Sequence, residues 1–118
     1  MAVIIHGIKA CDTMKKARAW LDAHGVTYSF HDYKAEGVSA EQLERWAGLV
    51  GWTVLVNRAG TTFRKLDDSE KADLDEAKAI VLMQTHPSLI KRPVLEIDDR
   101  VLVGFKTAEY EAAFQSLT

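Results

Sequence analysis

A single cysteine, Cys11, stands in 118 residues, so the chain can close no internal disulfide and build no cysteine-rich zinc site. A secreted domain of this size usually depends on disulfides, so their absence points to a reducing compartment, the cytoplasm. The opening Met1-Ala2-Val3-Ile4-Ile5-His6-Gly7 lacks the basic and long apolar regions of a signal peptide. No apolar run approaches the length of a membrane span, so no membrane partner is expected. Neither sign of charge is in large excess. The formal net charge is −2, which excludes the broad basic face of a nucleic-acid binder. There is no P-loop and no GxGxxG, and His6, His24, His31 and His86 show no metal-ligand spacing, so neither a metal nor a bound cofactor is expected. The hydrophobic share of 47% suits one core, and residues 1–118 are read as one domain and a monomer.

Hydrophobic periodicity gives the elements. Val3-Ile4-Ile5 reads as a buried strand ended by Gly7. Met14, Ala17, Trp20 and Leu21 then make one helical face, with Asp12 or Thr13 as its cap and Gly25 as its end. Residues 27–33 alternate as a second strand, and a βαβ opening implies a parallel pair. Ser39-x-x-Gln42 is a capping-box pattern before the stripe Leu43, Trp46, Ala47 and Val50, which Gly51 can end. Residues 52–56 fit either a short strand or a helical turn, and 57–68 read as a loop. Leu74, Ala77, Ile80, Val81 and Gln84 predict another helix, stopped before Pro87. Val94–Ile97 and Val101–Val103 flank a turn at Asp98-Asp99-Arg100 and Gly104 closes the hairpin. Thr107 can cap a last helix with Tyr110, Ala113, Phe114 and Leu117 inside. The order β-α-β, helical segment, β-β-α predicts an α/β, thioredoxin-like fold. It is a mixed four-stranded sheet with 39–89 as a helical insertion.

Cys11 falls between the first strand and the first helix. A helix N-terminus offers unpaired N–H groups and partial positive charge, which stabilise a thiolate, the nucleophilic form. The N–H groups of Asp12 and Thr13 are the expected donors, and Lys9, Lys15, Lys16 and Arg18 are close in sequence. An inert cysteine with a solvated basic helix face is the competing reading. Met14 replaces the second cysteine of a C-x-x-C, so a resolving thiol must come from another molecule. Ala17 occupies the arginine position of the phosphatase pattern Cys-x5-Arg. Pro93 suits the start of a strand, because it cannot donate to a sheet ladder, and Arg92 precedes it. Arg58 and Arg64 flank Gly60 with donor forks suited to oxyanions and carboxylates.

Four stretches in this order carry a resemblance: Gly7-Ile8-Lys9-Ala10-Cys11-Asp12-Thr13, Asn57-Arg58, Gly60-Thr61-Thr62-Phe63-Arg64-Lys65-Leu66 and Leu89-Ile90-Lys91-Arg92-Pro93. The chain resembles the arsenate reductase (ArsC)-like family, which also includes Spx, and is most similar to its YffB branch. The resemblance implies that Cys11 is the nucleophile, that Arg58 and Arg92 bind an oxyanion, and that Pro93 is cis. It also implies glutathione as co-substrate, with glutaredoxin as a further partner. The expected activity is a glutathione-dependent thiol reductase in which Arg58, Arg92, Pro93, Asp12, Thr13 and Lys9 surround the reacting groups. Arsenate reduction and an Spx-like, non-enzymatic partner-binding role are the alternatives. Three departures set the chain apart from the arsenate-reducing branch. Gly7 stands where that branch has histidine, Asp12 where it has glycine, and Phe105-Lys106 where a third arginine is expected. Met14 removes the C-x-x-C switch of Spx.

Overall fold

A computed structural model describes residues 2–115. The elements in chain order are β1 (Val3–Gly7), α1 (Asp12–Ala23), β2 (Ser29–Asp32), α2 (Tyr33–Glu36), α3 (Ala40–Val50), α4 (Trp52–Leu55), α5 (Thr61–Arg64), α6 (Asp68–Lys71), α7 (Glu76–Thr85), a 3-10 turn (Pro87–Leu89), β3 (Val94–Ile97), β4 (Arg100–Val103) and α8 (Thr107–Gln115). They fall into two compact units. One holds the residues up to His31 and from Arg92 onward, and the other is Asp32–Lys91. The second unit starts earlier and ends later than the insertion expected at 39–89.

The first unit is the mixed four-stranded sheet of a thioredoxin-like fold, in the order β2-β1-β3-β4. The helical crossover from β1 to β2 sets that pair parallel. β1 runs antiparallel to β3, with Ile5 opposite Leu95 and His6 opposite Val94. β3 and β4 close a two-residue hairpin in which Ile97 faces Arg100 and Asp98 adopts φ 51. Val3, Ile5, Leu95 and Ile97 share one sheet face, since side chains alternate along a strand. That face packs on Met14, Ala17 and Leu21 of α1 and on Tyr110 and Ala113 of α8. β2 is shorter than its alternation suggested, because buried Tyr33 begins α2 instead of ending the strand. The Leu117 expectation lies outside the described residues.

Helix α1 ends in a Schellman motif. The Gly25 N–H donates to Asp22 and the Val26 N–H to Leu21. Gly25 stands at φ 68, a conformation that glycine enters without strain. A second glycine is set by close approach. A Cβ at Gly7 would strike the Met14 sulfur. Met14 is buried, so the two positions must be chosen together.

In the second unit, Ser39 Oγ accepts from the Gln42 N–H at 3.1 Å, and Leu43, Trp46 and Ala47 are buried as the pattern indicated. Residues 52–55 form a helical turn, after which Val56 makes an isolated antiparallel bridge to Ile90. The 57–68 stretch contains the helical turn α5. The expected face of α7 needs correction. Ala79, Ile80, Leu82 and Met83 are buried, whereas Ala77, Gln84 and Val81 are exposed, Val81 at 61%. The helix is capped by Asp75, whose carboxylate accepts from Lys78 N–H. Its rotation about the axis follows from where α3 and α4 pack, which a nearly uniform apolar run cannot reveal. No helix among the described residues is long and apolar enough to cross a membrane.

Candidate functional site

β1 delivers the chain to a loop that ends at Cys11. There the backbone is extended (φ −123, ψ 131), so Cys11 is the N-cap of α1, and neither Asp12 nor Thr13 fills that place. Asp12 is the first helical residue and is exposed, where its charge complements the helix dipole. A cap side chain faces the N–H groups two and three residues on. The groups acting on the sulfur are accordingly those of Thr13 and Met14, which corrects the expected Asp12 and Thr13. They fall short of a formal capping bond, a neutral thiol being a weak acceptor. Their effect is on the charged form.

Burial pushes the Cys11 thiol up. Against it act the Met14 N–H, a hydrogen bond from the Arg92 side chain, the Thr13 N–H and the Arg92 charge, and together they hold the thiol below its ordinary value. Arg92 reaches Cys11 because only Pro93 separates it from β3, the neighbour of β1. The Arg92–Pro93 peptide bond is cis. The structure thus brings Cys11, Thr13, Met14, Arg92 and Pro93 together within one unit.

The lysines have no such part. Lys9, Lys15 and Lys16 are exposed, and none is among the groups that act on the thiol. Arg18 is taken up by β2 and the residues before it: its guanidinium lies 4.8 Å from the Phe30 ring centroid, and Nε donates to Tyr28 Oη at 3.3 Å. Arg58 belongs to the second unit, where its guanidinium lies 5.5 Å from the Trp52 ring centroid. Arg64 Nη2 donates to the Ala59 carbonyl at 3.4 Å. Where a third arginine was expected, Phe105 packs edge-on against Tyr110 at 4.8 Å, and exposed Lys106 offers its carbonyl to the first turn of α8.

Sequence spacing missed one polar cluster. His6 and Glu96 are buried, with Nε2 and Oε1 2.5 Å apart, and His6 Nδ1 lies 2.8 Å from Nδ1 of His31. Its signal was Glu96, an acid inside the otherwise apolar run Val94-Leu95-Glu96-Ile97, since a buried carboxylate needs a partner. Among the described residues no group of three or more such side chains could hold a metal ion.

Comparison with known proteins covers nearly the whole chain. The sequence pattern of the ArsC family matches residues 6–113. The solved structure of a YFFB protein is 64% identical, with a TM-score of 0.93 over 95% of this chain and 98% of its own. An arsenate reductase (ArsC) related protein from Brucella melitensis is 58% identical, with a TM-score of 0.76 over 97% of this chain and 95% of its own. The global transcriptional regulator Spx of Streptococcus mutans is 30% identical over 108 residues, 87% of this chain and 76% of its own.

Proposed function

The chain belongs to the ArsC family, and from that premise we propose that it is a glutathione-dependent thiol reductase of the cytoplasm with Cys11 as its nucleophile. The observation that carries this reading is the thiol held acidic at a helix cap by two N–H groups and Arg92. An inert cysteine has no need of such an environment.

The Cys11 thiolate attacks the glutathione sulfur of a mixed disulfide RS–SG. The Cys11–glutathione bond forms, the RS–SG bond breaks, and RS⁻ leaves and takes a proton from solvent. A glutathione thiolate then attacks the Cys11–glutathione bond, releasing oxidised glutathione and restoring the Cys11 thiolate. The second thiol must be external, because the chain holds no other cysteine. Once the sulfur is bonded it carries no charge, and Arg92 can turn its fork to a glutathione carboxylate. Arg58 enters this reading through the family resemblance alone.

Mass spectrometry after incubation with oxidised glutathione tests the proposal. One glutathione on Cys11, removed by added reduced glutathione, is expected. No adduct at neutral pH would sink the idea. Arsenate turnover should be weak or absent, because Phe105 and exposed Lys106 supply no guanidinium fork. An assay coupled to glutathione and glutaredoxin checks this, and turnover at roughly tens per second, ordinary for a dedicated enzyme, would overturn it. The Spx relative supports a second reading, a partner-binding regulator. Such a protein would keep its partner when Cys11 is replaced by serine.

A further inference from the structure

Residues 60–66, singled out in the sequence, have no part in the chemistry above. Within the second unit they border a cavity of about 290 Å³, lined by Thr62, Lys65, Leu66, Glu70 and His86. That is room for a small molecule. α5 delivers Thr62, the residues just after it deliver Lys65 and Leu66, α6 delivers Glu70, and His86 follows α7. Leu66 is buried and gives the cavity an apolar wall, while the other four offer polar atoms.

Backbone and cap bonds fix these groups without help from a ligand. Glu70 closes the capping box of α6. Its Oε1 accepts from the Asp67 N–H at 3.1 Å, which leaves Oε2 for another partner. His86 ends α7: its N–H donates to the Leu82 carbonyl, and its own carbonyl accepts from the Leu89 N–H. The ring Nε2 of His86 stands 4.0 Å from Glu70 Oε2, within ion-pair range but beyond a hydrogen bond. Among the described residues no hydrogen bond or ion pair engages the Lys65 ammonium or the Thr62 hydroxyl.

Neighbouring cations are taken up elsewhere. Lys71 Nζ donates to the Arg64 carbonyl at 3.2 Å and lies 5.5 Å from the Phe63 ring centroid. Lys78 Nζ donates to the Ser69 and Ala72 carbonyls, and Arg64 Nη2 to that of Ala59. The cavity is therefore lined by one ammonium, one carboxylate, one hydroxyl and one imidazole. A phosphate-like anion would meet the Glu70 charge. A divalent cation would find only Glu70 and His86 as ligands, with the Lys65 charge beside them. A ligand that carries both charges satisfies both sides.

The geometry points to a binding site for a small α-amino acid with an apolar side chain. Its ammonium sits between Glu70 Oε2 and His86 Nε2. A nitrogen about 2.9 Å from each atom fits that 4.0 Å gap and spends two of its three N–H groups there. His86 accepts at Nε2 and carries its ring proton on Nδ1. The ligand carboxylate takes the Lys65 ammonium and the Thr62 hydroxyl, and its side chain lies against Leu66. The site does not depend on what Cys11 reacts with.

Nitrogen-15 amide NMR of the intact chain, titrated with L-leucine, tests this. Saturable shifts at millimolar concentration are expected at Thr62, Lys65, Leu66, Glu70 and His86. Isocaproate lacks the ammonium of leucine, and isoamylamine lacks its carboxylate. Both keep the branched tail, and each should bind about tenfold more weakly than leucine. Lys65→Met should leave leucine binding no better than isoamylamine. Glu70→Gln, which keeps an oxygen for the Asp67 N–H, should leave leucine binding no better than isocaproate. Should Glu70→Gln not fold, Lys65→Met at an exposed position carries the test. The inference is overturned by any of four results: no saturable shift with leucine, equally tight binding of isocaproate or isoamylamine, unchanged leucine binding in Lys65→Met, or zinc or inorganic phosphate moving these amides where leucine does not.

Discussion

Arg92→Ala gives the sharpest view of how the fold makes its thiol acidic. Burial, the largest single influence on Cys11, pushes the thiol up and stays in place; the Met14 and Thr13 N–H groups also stay, and what is lost is the Arg92 hydrogen bond and charge. A hydrogen bond to a charged group contributes about 1.5–3 kcal/mol when well shielded. Cys11 is half-buried, and water screens the pair, so about 1 kcal/mol is the reasonable share. That corresponds to about a fivefold smaller thiolate population near neutral pH. Alkylation by iodoacetamide, timed by mass spectrometry, reads that population directly. Arg92→Ala should react about fivefold more slowly than wild type, and Arg92→Lys, which keeps the charge but not the fork, should fall between. Lys91→Ala and Lys9→Ala should match wild type. Equal rates for Arg92→Ala and wild type would refute the role assigned to Arg92, and an equal drop in Lys9→Ala would move the credit to general positive charge.

Three further outcomes follow from the packing and the charges. Gly7→Ala forces a methyl against the buried Met14 sulfur and should lower stability by about 1–3 kcal/mol in urea unfolding, with partial recovery when Met14→Ala is added; an unchanged midpoint would show that Met14 moves aside freely. Tyr110 is fully buried, and its hydroxyl has no hydrogen-bond partner among the described residues, so Tyr110→Phe should leave stability unchanged or raise it by about 1 kcal/mol, and a clear loss would reveal a partner. The Cys11 thiol is held below its unfolded value, so its thiolate adds stability that is fully present above the ordinary thiol range and is lost as pH falls through the folded value. Wild type should therefore gain on Cys11→Ser as pH rises from about 6 to 9 in paired thermal melts, and a constant gap would contradict the sign.

Much of the sheet unit was legible from local chemistry. β-branched Val3-Ile4-Ile5, the Met14–Ala17–Leu21 stripe and the αL position at Gly25 each fix one element with little help from the rest. Cys11 and the Arg92–Pro93 pair were found by their places beside strands. What stayed hidden depends on contacts distant in sequence. Lys9 and Lys15 looked like the cations of the site because they are near in the chain, yet Arg92, from the far end of the sequence, acts on the sulfur because β3 pairs with β1. The cap is Cys11 and not the better acceptors Asp12 or Thr13, because the extended backbone at Cys11, not the strength of a side-chain acceptor, sets where α1 begins. His6 and Glu96 are 90 positions apart, and only strand register makes them neighbours.

In the proposed reaction every turnover passes through Cys11. The direct measurement is reduction of a glutathione mixed disulfide by reduced glutathione, followed through glutathione reductase and NADPH, for wild type and for Cys11→Ser shown to be folded. Steady turnover in wild type and none above background in Cys11→Ser is the predicted result. Background-level rates in both proteins, or equal activity in Cys11→Ser, would contradict it.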